Sequence, residues 1–365
     1  MKGNDCLISA KAPGKLYIAG EYAVVETGNP AIIVALDQFV KVTIEKSEKY
    51  GSIVSKQYQD SSIQWQRRGG EIVLDNRDNT FNYILSAIRL TEEYAQSLGC
   101  NMETYHLKVN SELDSPDGKK YGLGSSAAVT VATINALCQF YDLPLTKDRL
   151  FKLAAIAHLD VQGNGSLGDI AASVYGGWIA YRSFDREWLK SARYEEDLTN
   201  LIDIPWPELD IRPLTPPTDL KLLIGWTGSP ASTSRLVDKV AFKKGQQLTG
   251  YHKFLQASSK CLNDIISGFE SNNLEKIKLG ITHNRQLLQK LSRLTQVDIE
   301  TPLLTKMCEI AERHQAAAKT SGAGGGDCGI MITDKTVSDT QLIAELQANG
   351  VQILPLAVHM VTDLD

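Results

Sequence analysis

The sequence predicts an α+β fold in two halves. Its 365 residues are enough for two domains with substantial hydrophobic cores. Apolar runs typical of strands and apolar stripes at helical spacing occur in both halves. A proline-rich stretch from Ile204 to Pro217 interrupts this pattern and indicates a linker. We therefore expect an N-terminal domain at residues 1–200 and a C-terminal domain at residues 201–365.

The first half is predicted to open with short strands and turns between Leu7 and Glu45. Ala31–Leu36 is continuously apolar, which indicates a buried strand, and Val40–Ile44 alternates like a half-exposed one. Apolar residues at helical spacing predict a helix from about Thr80 to Leu98. Further helices are expected over Ala127–Cys138 and over Leu150–Leu159, the latter ending near Gly163.

The second half is predicted to mix strands and helices around a glycine-rich loop. Leu220–Gly225 restarts the chain as a strand, and three apolar stripes at helical spacing follow, within residues 262–269, 287–294 and 303–311. After the loop we expect a strand at Cys328–Thr333, a helix at Gln341–Gln347 and a strand at Val351–Val358. Pro355 makes that last strand an edge strand or a bulged one, because proline cannot donate to a sheet.

Composition and charge exclude several classes of protein. Hydrophobic residues make up 43% of the chain and charged residues 22%, as in ordinary globular proteins. A net charge of −5 without a basic stripe argues against nucleic-acid binding. The six cysteines are scattered, which excludes a cysteine-based metal site. No signal peptide or membrane-spanning run is evident, so we expect a cytoplasmic enzyme without a membrane partner, either a monomer or a homodimer.

The stretch from Gly118 to Ala128 has the features of a phosphate-binding loop. Gly122 and Gly124 can adopt backbone angles that turn their N–H groups toward one point. Ser125 or Ser126 can then cap the helix that follows. A helix N-terminus offers unpaired N–H donors and a partial positive charge, which suits phosphate. The stretch therefore predicts a loop for a nucleoside triphosphate.

Three other interpretations of this loop stay open. In a Walker A loop the lysine ends the turn, whereas Lys119 and Lys120 precede the glycines here. The spacing of Gly122, Gly124 and Ala127 matches a relaxed dinucleotide fingerprint, but a polar loop separates it from the nearest predicted strand. The third alternative is a helix cap that binds no ligand.

Three more stretches carry residues suited to chemistry. Lys15 follows a Pro-Gly turn and opens a short apolar strand, although a solvated surface lysine has the same appearance. Asp169 stands among glycines at the start of a helix, where an acidic residue often only balances the helix dipole. The loop Ser321–Gly329 contains five glycines, which indicates close approach of the backbone to a ligand, or else a hinge.

Taken in order, these stretches resemble the GHMP kinase superfamily. The resemblance rests on Pro13-Gly-Lys-Leu16, Gly122-Leu-Gly-Ser-Ser-Ala127 and Ser321-Gly-Ala-Gly-Gly-Gly-Asp327, and it spans essentially the whole chain. The segments Asn164-Gly-Ser166 and Gly225-Trp-Thr227 resemble bacterial phosphomevalonate kinases in particular. Three motifs in order at wide spacing are more specific than any one of them.

The resemblance implies a fold and an activity. The fold is an N-terminal domain like ribosomal protein S5 domain 2 and a ferredoxin-like C-terminal domain, with the active site between them. The activity is ATP-dependent phosphorylation of (R)-5-phosphomevalonate to the diphosphate in isoprenoid biosynthesis, with Mg²⁺. The alternative is a kinase of the same family acting on an alcohol, such as mevalonate or homoserine.

The resemblance also implies roles for individual residues. Lys15 and Asp169 would be catalytic, and Ser126 would supply the Mg²⁺ hydroxyl. The nucleotide side would comprise Lys119, Lys120, Gly122, Leu123, Gly124, Ser125, Ser126 and Ala127. The acceptor side would comprise Lys15, Tyr22, Asn164, Ser166, Trp226, Thr227, Ser321, Gly322, Ala323 and Gly324. Mevalonate kinases also bind the metal through a glutamate, for which no counterpart is assigned.

Overall fold

The computed structural model describes residues 7–55, 61–69, 71–74, 81–114, 121–228, 233–244 and 248–360. Within these ranges two separate sheets are covered by helices, which confirms the predicted α+β class in two parts. No helix of the described ranges is both long enough and apolar enough to cross a membrane.

The first sheet contains eight strands among the described residues. They are β1 (Ile8–Ala19), β2 (Pro30–Ser47), β3 (Gly51–Ser55), β4 (Ser61–Arg68), β5 (Glu71–Leu74), β6 (Thr104–Ser111), β7 (Trp178–Arg182) and β8 (Asp210–Leu214). β2 is the central strand: it pairs with β1 along most of its length, with β7 through its first residues and with β6 through its last. The strands of the sheet follow the spatial order β5-β4-β3-β6-β2-β7-β8, and β1 pairs with β2 outside this order.

The expectation of short strands between Leu7 and Glu45 was wrong. The predicted strands Ala31–Leu36 and Val40–Ile44 are two parts of β2, which runs uninterrupted through Asp37, Gln38 and Phe39 between them. Pairing with β1 carries the ladder past these residues, with a register shift near Pro13. Such pairing with a distant strand is invisible to a local pattern of hydrophobicity.

In the part of the chain that the structure describes, six helices accompany the first sheet: α1 (Asn82–Ser97), α2 (Ser125–Phe140), α3 (Lys147–Gln162), α4 (Gly168–Tyr175), α5 (Arg186–Glu195) and α6 (Leu198–Asp203). α2 and α4 pack on β1 and β2, and α1 and α3 pack on α2. α2 is buried on nearly all sides, because its alanines and threonines let neighbouring elements come close. The N-terminal ends of α2 and α4 are thereby placed beside β1.

The second sheet is antiparallel, in the order β10-β11-β9-β12. Its strands are β9 (Leu220–Trp226), β10 (Ala317–Thr320), β11 (Cys328–Asp334) and β12 (Gln352–Leu354). The accompanying helices are α7 (Thr233–Lys244), α8 (Leu248–Glu270), α9 (Leu274–Thr295), α10 (Pro302–Arg313) and α11 (Thr340–Ala348). The strand expected at Val351–Val358 is shorter than predicted: it ends before Pro355 and lies at the edge of the sheet.

The two parts of the chain are joined by more than a linker. The proline-rich stretch contains β8, which pairs with β7 in the first sheet. The backbone near the C-terminus returns to that sheet, where His359 N–H donates to the carbonyl of Ala35 at 3.0 Å. The division into residues 1–200 and 201–365 stays a prediction.

Candidate active site

One cavity of about 250 Å³ lies where β1, the first turns of α2 and α4 and the loop between β10 and β11 meet. Lys15, Ser126, Asp169 and Ser321 all line it, although they lie far apart in the sequence. The structure therefore brings together the four stretches that the sequence singled out.

The glycine loop ends in a backbone conformation that glycine adopts readily. Gly122 and Gly124 have φ values of 78° and 81°. Gly124, and not a serine, occupies the N-cap of α2, so the expectation that Ser125 or Ser126 would cap the helix was wrong. Both serines lie in the first turn instead and line the cavity. Their hydroxyl groups and the first N–H groups of α2 are consequently available to a ligand.

Close packing against Lys15 is a second reason for glycine in this loop. A Cβ atom at Gly124 would lie 2.7 Å from Lys15 Cε. Lys15 N–H donates to the carbonyl of Leu123 at 2.8 Å, and its Nζ donates to the carbonyl of Gly122 at 3.3 Å. The lysine is therefore held along the loop, with its ammonium group at the cavity wall.

Ser126 contacts a histidine that sequence reasoning did not identify. Its Oγ lies 3.2 Å from Nε2 of His158, a fully buried residue of α3. Burial lowers the pKa of His158, and the negative charge of Asp169 opposes this only in part. The neutral ring is thus favoured beside the serine hydroxyl. A lone histidine inside an apolar helix gave no signal of such a contact.

The site suits a magnesium nucleotide more than a metal held by protein ligands alone. The described residues contain no group of three or more His, Cys, Asp or Glu side chains able to hold a metal ion. Mg²⁺ commonly takes few protein ligands and completes its shell with phosphate oxygens and water. The Ser126 hydroxyl at a helix N-terminus, with Asp169 on the same cavity wall, fits that pattern.

Asp169 lies in the first turn of α4, next to a pair of hydrogen-bonded hydroxyl groups. The hydroxyl of Tyr17 lies 2.8 Å from Oγ of Ser166. Burial raises the pKa of Tyr17, and the negative charge of Asp169 raises it further. Gly168 makes room for this arrangement, because a Cβ there would lie 2.6 Å from the Tyr17 hydroxyl. Tyr17 therefore stays protonated and can donate a hydrogen bond.

The late glycine-rich loop is docked on β1 and on the turn that follows it. Ser321 Oγ donates to the carbonyl of Tyr17 at 2.7 Å, and the Tyr22 hydroxyl donates to the carbonyl of Ala323 at 2.6 Å. Gly322 also lines the cavity, whereas Gly324 faces away from it, and a Cβ there would lie 2.0 Å from the carbonyl oxygen of Ile299. These bonds join the two parts of the chain at the predicted acceptor side.

The remaining predicted site residues do not all line the cavity. Asn164 lines the cavity, and its side-chain amide donates to Asp238 of α7 at 2.7 Å. Trp226 and Thr227 are not on the wall; Thr227 N–H instead donates to the carbonyl of Asp327 at 3.0 Å. Leu123 and Ala127 are buried behind the loop, and Lys119 and Lys120 lie outside the described residues.

A buried ion pair at the cavity was also missed from the sequence. Glu21, on the cavity wall, forms a salt bridge with Lys319 of β10, and their side chains are only 2% and 0% exposed. Lys319 Nζ also donates to the carbonyl of Thr320 at 2.6 Å. Its short strand was not predicted, and a lysine among alanines does not by itself indicate a buried charge.

Comparison with known families matches both parts of the chain. The family described as GHMP kinases N terminal domain matches residues 82–177, and the family described as GHMP kinases C terminal matches residues 265–352. The first match includes the glycine loop and Asp169, and the second includes Lys319 and Ser321.

Individual relatives match over nearly the full chain. The phosphomevalonate kinase of Streptomyces sp. (strain CL190) is 36% identical over 357 residues, covering 94% of this chain and 95% of that protein. A crystal structure of a Lin0012 protein from Listeria innocua superposes with a TM-score of 0.91 at 38% identity, covering 97% of this chain and 98% of that chain. The structure of Streptococcus pneumoniae phosphomevalonate kinase in complex with phosphomevalonate and AMPPNP superposes with a TM-score of 0.84 at 30% identity. The match covers 96% of this chain and 100% of that chain.

Substitution of Gly124 by alanine is expected to weaken nucleotide binding roughly tenfold, about 1.4 kcal/mol. The new Cβ must push Lys15 aside, in addition to a backbone cost of roughly 1–2 kcal/mol for a left-handed non-glycine residue. The matched control is Gly99→Ala, since Gly99 has the same φ of 81° and open space around its Cβ position. Calorimetric titration with ATP and urea unfolding of both variants provide the measurement. Equal nucleotide affinity in the two variants would contradict the prediction.

Proposed function

Because the chain belongs to the GHMP kinase family, we propose that it transfers the γ-phosphoryl group of ATP to (R)-5-phosphomevalonate. The observation that carries the proposal is the convergence of Lys15, Ser126, Asp169 and Ser321 on one cavity. The likeness to two phosphomevalonate kinases over nearly the whole chain supports this choice of acceptor. A Mg²⁺ requirement, a cytoplasmic location, small-molecule substrates without a nucleic-acid or membrane partner, and a monomeric or homodimeric state belong to the same proposal.

The glycine loop would hold the triphosphate of ATP. The residues at the start of α2, where a helix has unpaired N–H groups and the positive end of its dipole, line the cavity. The Ser126 hydroxyl would hold Mg²⁺, and the bound ion would supply charge neutralisation between phosphate oxygens. Lys15, whose ammonium lies at the loop, would contact the phosphoryl group as it moves toward the acceptor.

A phosphate acceptor makes repulsion, and not proton removal, the main obstacle. The second pKa of a phosphate monoester is about 6, so the attacking oxygen is mostly ionised at neutral pH. Each pair of unit charges at ~4 Å repels by about 1 kcal/mol in water, and by about 4 kcal/mol in a partly screened cleft. Lys15 and the helix N-termini supply the positive charge among the described residues, and Lys119 and Lys120 are expected to add to it.

Asp169 has two possible roles toward such an acceptor. It can accept the remaining proton of a phosphate monoanion, or it can orient Lys15 and the acceptor. Asp169 Oδ1 already accepts a hydrogen bond from the N–H of Ile170 at 3.0 Å, which fixes the carboxylate at the start of α4. A carboxylate held in this way suits either role, and the pH dependence of turnover in an Asp169 variant separates the two roles.

Comparison of acceptors is the experiment that tests the proposed function. ADP release is measured with ATP, Mg²⁺ and either phosphomevalonate, mevalonate or homoserine. We expect turnover with phosphomevalonate, and a kcat/KM at least about a hundredfold lower with the two alcohols, because the site must balance a second phosphate. Preference for mevalonate or homoserine would replace the proposal by the alternative alcohol kinase.

Lys15→Met is expected to lower kcat by roughly 10²–10³ at every pH, because methionine removes the charge and keeps most of the side-chain length. Lys11→Met serves as the matched control, since Lys11 lies on the same strand but is exposed, with its Nζ over the ring of Phe39. ADP release from pH 6 to pH 9 is the measurement. Near-normal turnover of Lys15→Met would refute the role assigned to Lys15.

Asp169→Asn is expected to lower kcat by roughly 10²–10⁴ at neutral pH. If Asp169 is the base, the loss becomes smaller as pH rises, because the acceptor phosphate then loses its last proton to solvent. If it only orients Lys15, the loss is independent of pH. Asp148→Asn is the matched control, because Asp148 occupies the first turn of α3 as Asp169 does that of α4.

A further inference from the structure

The ion pair between Glu21 and Lys319 leaves one carboxylate oxygen without a partner. Glu21 follows β1 directly after Gly20, and Lys319 is in the middle of β10, so the pair connects the two sheets. Lys319 Nζ donates to Oε1 of Glu21 and to the carbonyl of Thr320. Oε2 of Glu21 is buried and has no hydrogen-bond partner among the described residues.

An unpartnered carboxylate oxygen on a residue that lines the cavity is informative about the ligand. A buried acceptor without a hydrogen bond is costly, so such groups in proteins nearly always find a donor. Glu21 lines the cavity, and its negative charge adds to the effects of burial and of the Asp169 charge, which raise the pKa of Tyr17. Glu21 therefore lies close to the predicted acceptor site, with an oxygen that can only accept.

The chemistry of the acceptor limits what can donate to this oxygen. Phosphomevalonate carries a phosphate, a carboxylate and one tertiary hydroxyl group. The ionised carboxylate and phosphate have no proton to donate to Glu21, whereas a hydroxyl group donates well to a carboxylate. We propose, on the basis of the function proposed above, that Oε2 of Glu21 accepts a hydrogen bond from the tertiary hydroxyl of the acceptor and that Lys319 positions Glu21 for it.

Lys319 fixes the orientation of the Glu21 carboxylate, which allows Glu21 to discriminate between acceptors with and without the hydroxyl group. A free glutamate can turn its carboxylate, but the salt bridge holds Oε1 and thereby directs Oε2. A site built to bind a hydroxyl group discriminates against an analogue that lacks it, because the buried acceptor is then left unpaired. Hydrogen bonds to charged groups account for a preference of about 10- to 100-fold. Lys319 touches no substrate in this scheme and is a positioning residue.

The test compares phosphomevalonate with its 3-deoxy analogue, 3-methyl-5-phosphooxypentanoate. The measured quantity is the ratio of the two kcat/KM values, which a general loss of activity or stability leaves unchanged. The wild-type enzyme is expected to prefer the hydroxyl compound by about 10- to 100-fold. In the double variant Glu21→Leu/Lys319→Met the ratio is expected to fall close to one. Replacement of the whole buried pair by apolar residues avoids leaving a single charge buried.

A second variant keeps the test valid if the double variant does not fold. In Glu21→Gln the ammonium of Lys319 retains the amide oxygen, because an ammonium group only donates, and the amide NH₂ faces the cavity. The ratio is then expected to fall several-fold. The matched control is Glu92→Gln, since Glu92 is also a buried glutamate in a salt bridge, with Arg67, and does not line the cavity.

The outcomes separate this inference from the proposed function. Turnover of phosphomevalonate with no preference over the deoxy analogue would overturn the role of Glu21 and leave the proposed function intact. A wild-type ratio in either Glu21 variant would overturn it as well. An absence of turnover with phosphomevalonate would refute the proposed function, and the inference with it. A ratio that falls in the Glu21 variants and not in Glu92→Gln supports the proposal.

Discussion

The buried salt bridge between Glu21, on the cavity wall, and Lys319 joins the two parts of the chain beside the cavity. Removal of one partner would leave an uncompensated buried charge, which typically costs about 3–5 kcal/mol. Hydrogen bonds from Ser321 to the backbone of Tyr17 and from Tyr22 to that of Ala323 act across the same boundary. The late glycine-rich loop is therefore tied to β1, and the presence of Ser321 in the same cavity as Lys15, Ser126 and Asp169 depends on this connection.

The electrostatic character of the site is local and does not follow from the net charge of −5. The first turns of α2 and α4, at the positive ends of their helix dipoles, line the cavity, and Lys15 adds a full charge beside the glycine loop. Three carboxylates among the described residues line the cavity. Glu21 is neutralised by Lys319, Asp327 lies against Gly122, where a Cβ atom would come within 2.7 Å of its Oδ2, and Asp169 lies in the first turn of α4. An acidic protein can thus bind polyanions in one small region.

Much of the secondary structure was predictable, because helices α1, α2, α3 and α11 have local periodicity and clear ends. The strands were predicted less well. β2 was divided into two, and β10 was not predicted at all, because each is defined by pairing with another strand, which a local hydrophobic pattern does not record. The N-cap of α2 was assigned to a serine on residue preference, whereas the left-handed conformation at Gly124 places the cap one residue earlier.

The sequence alone determined which segments are candidates for contact with phosphate, because glycine-rich turns before helices have an entropic cost that close approach of the backbone to a ligand offsets. It thereby identified Lys15, Ser126, Asp169 and Ser321 as candidates. Only the tertiary structure decided that they share one cavity, and that Glu21, His158 and Lys319 complete its surroundings. The reason is physical: burial and pairing of a charged or polar side chain depend on residues up to about three hundred positions away, which no local pattern records.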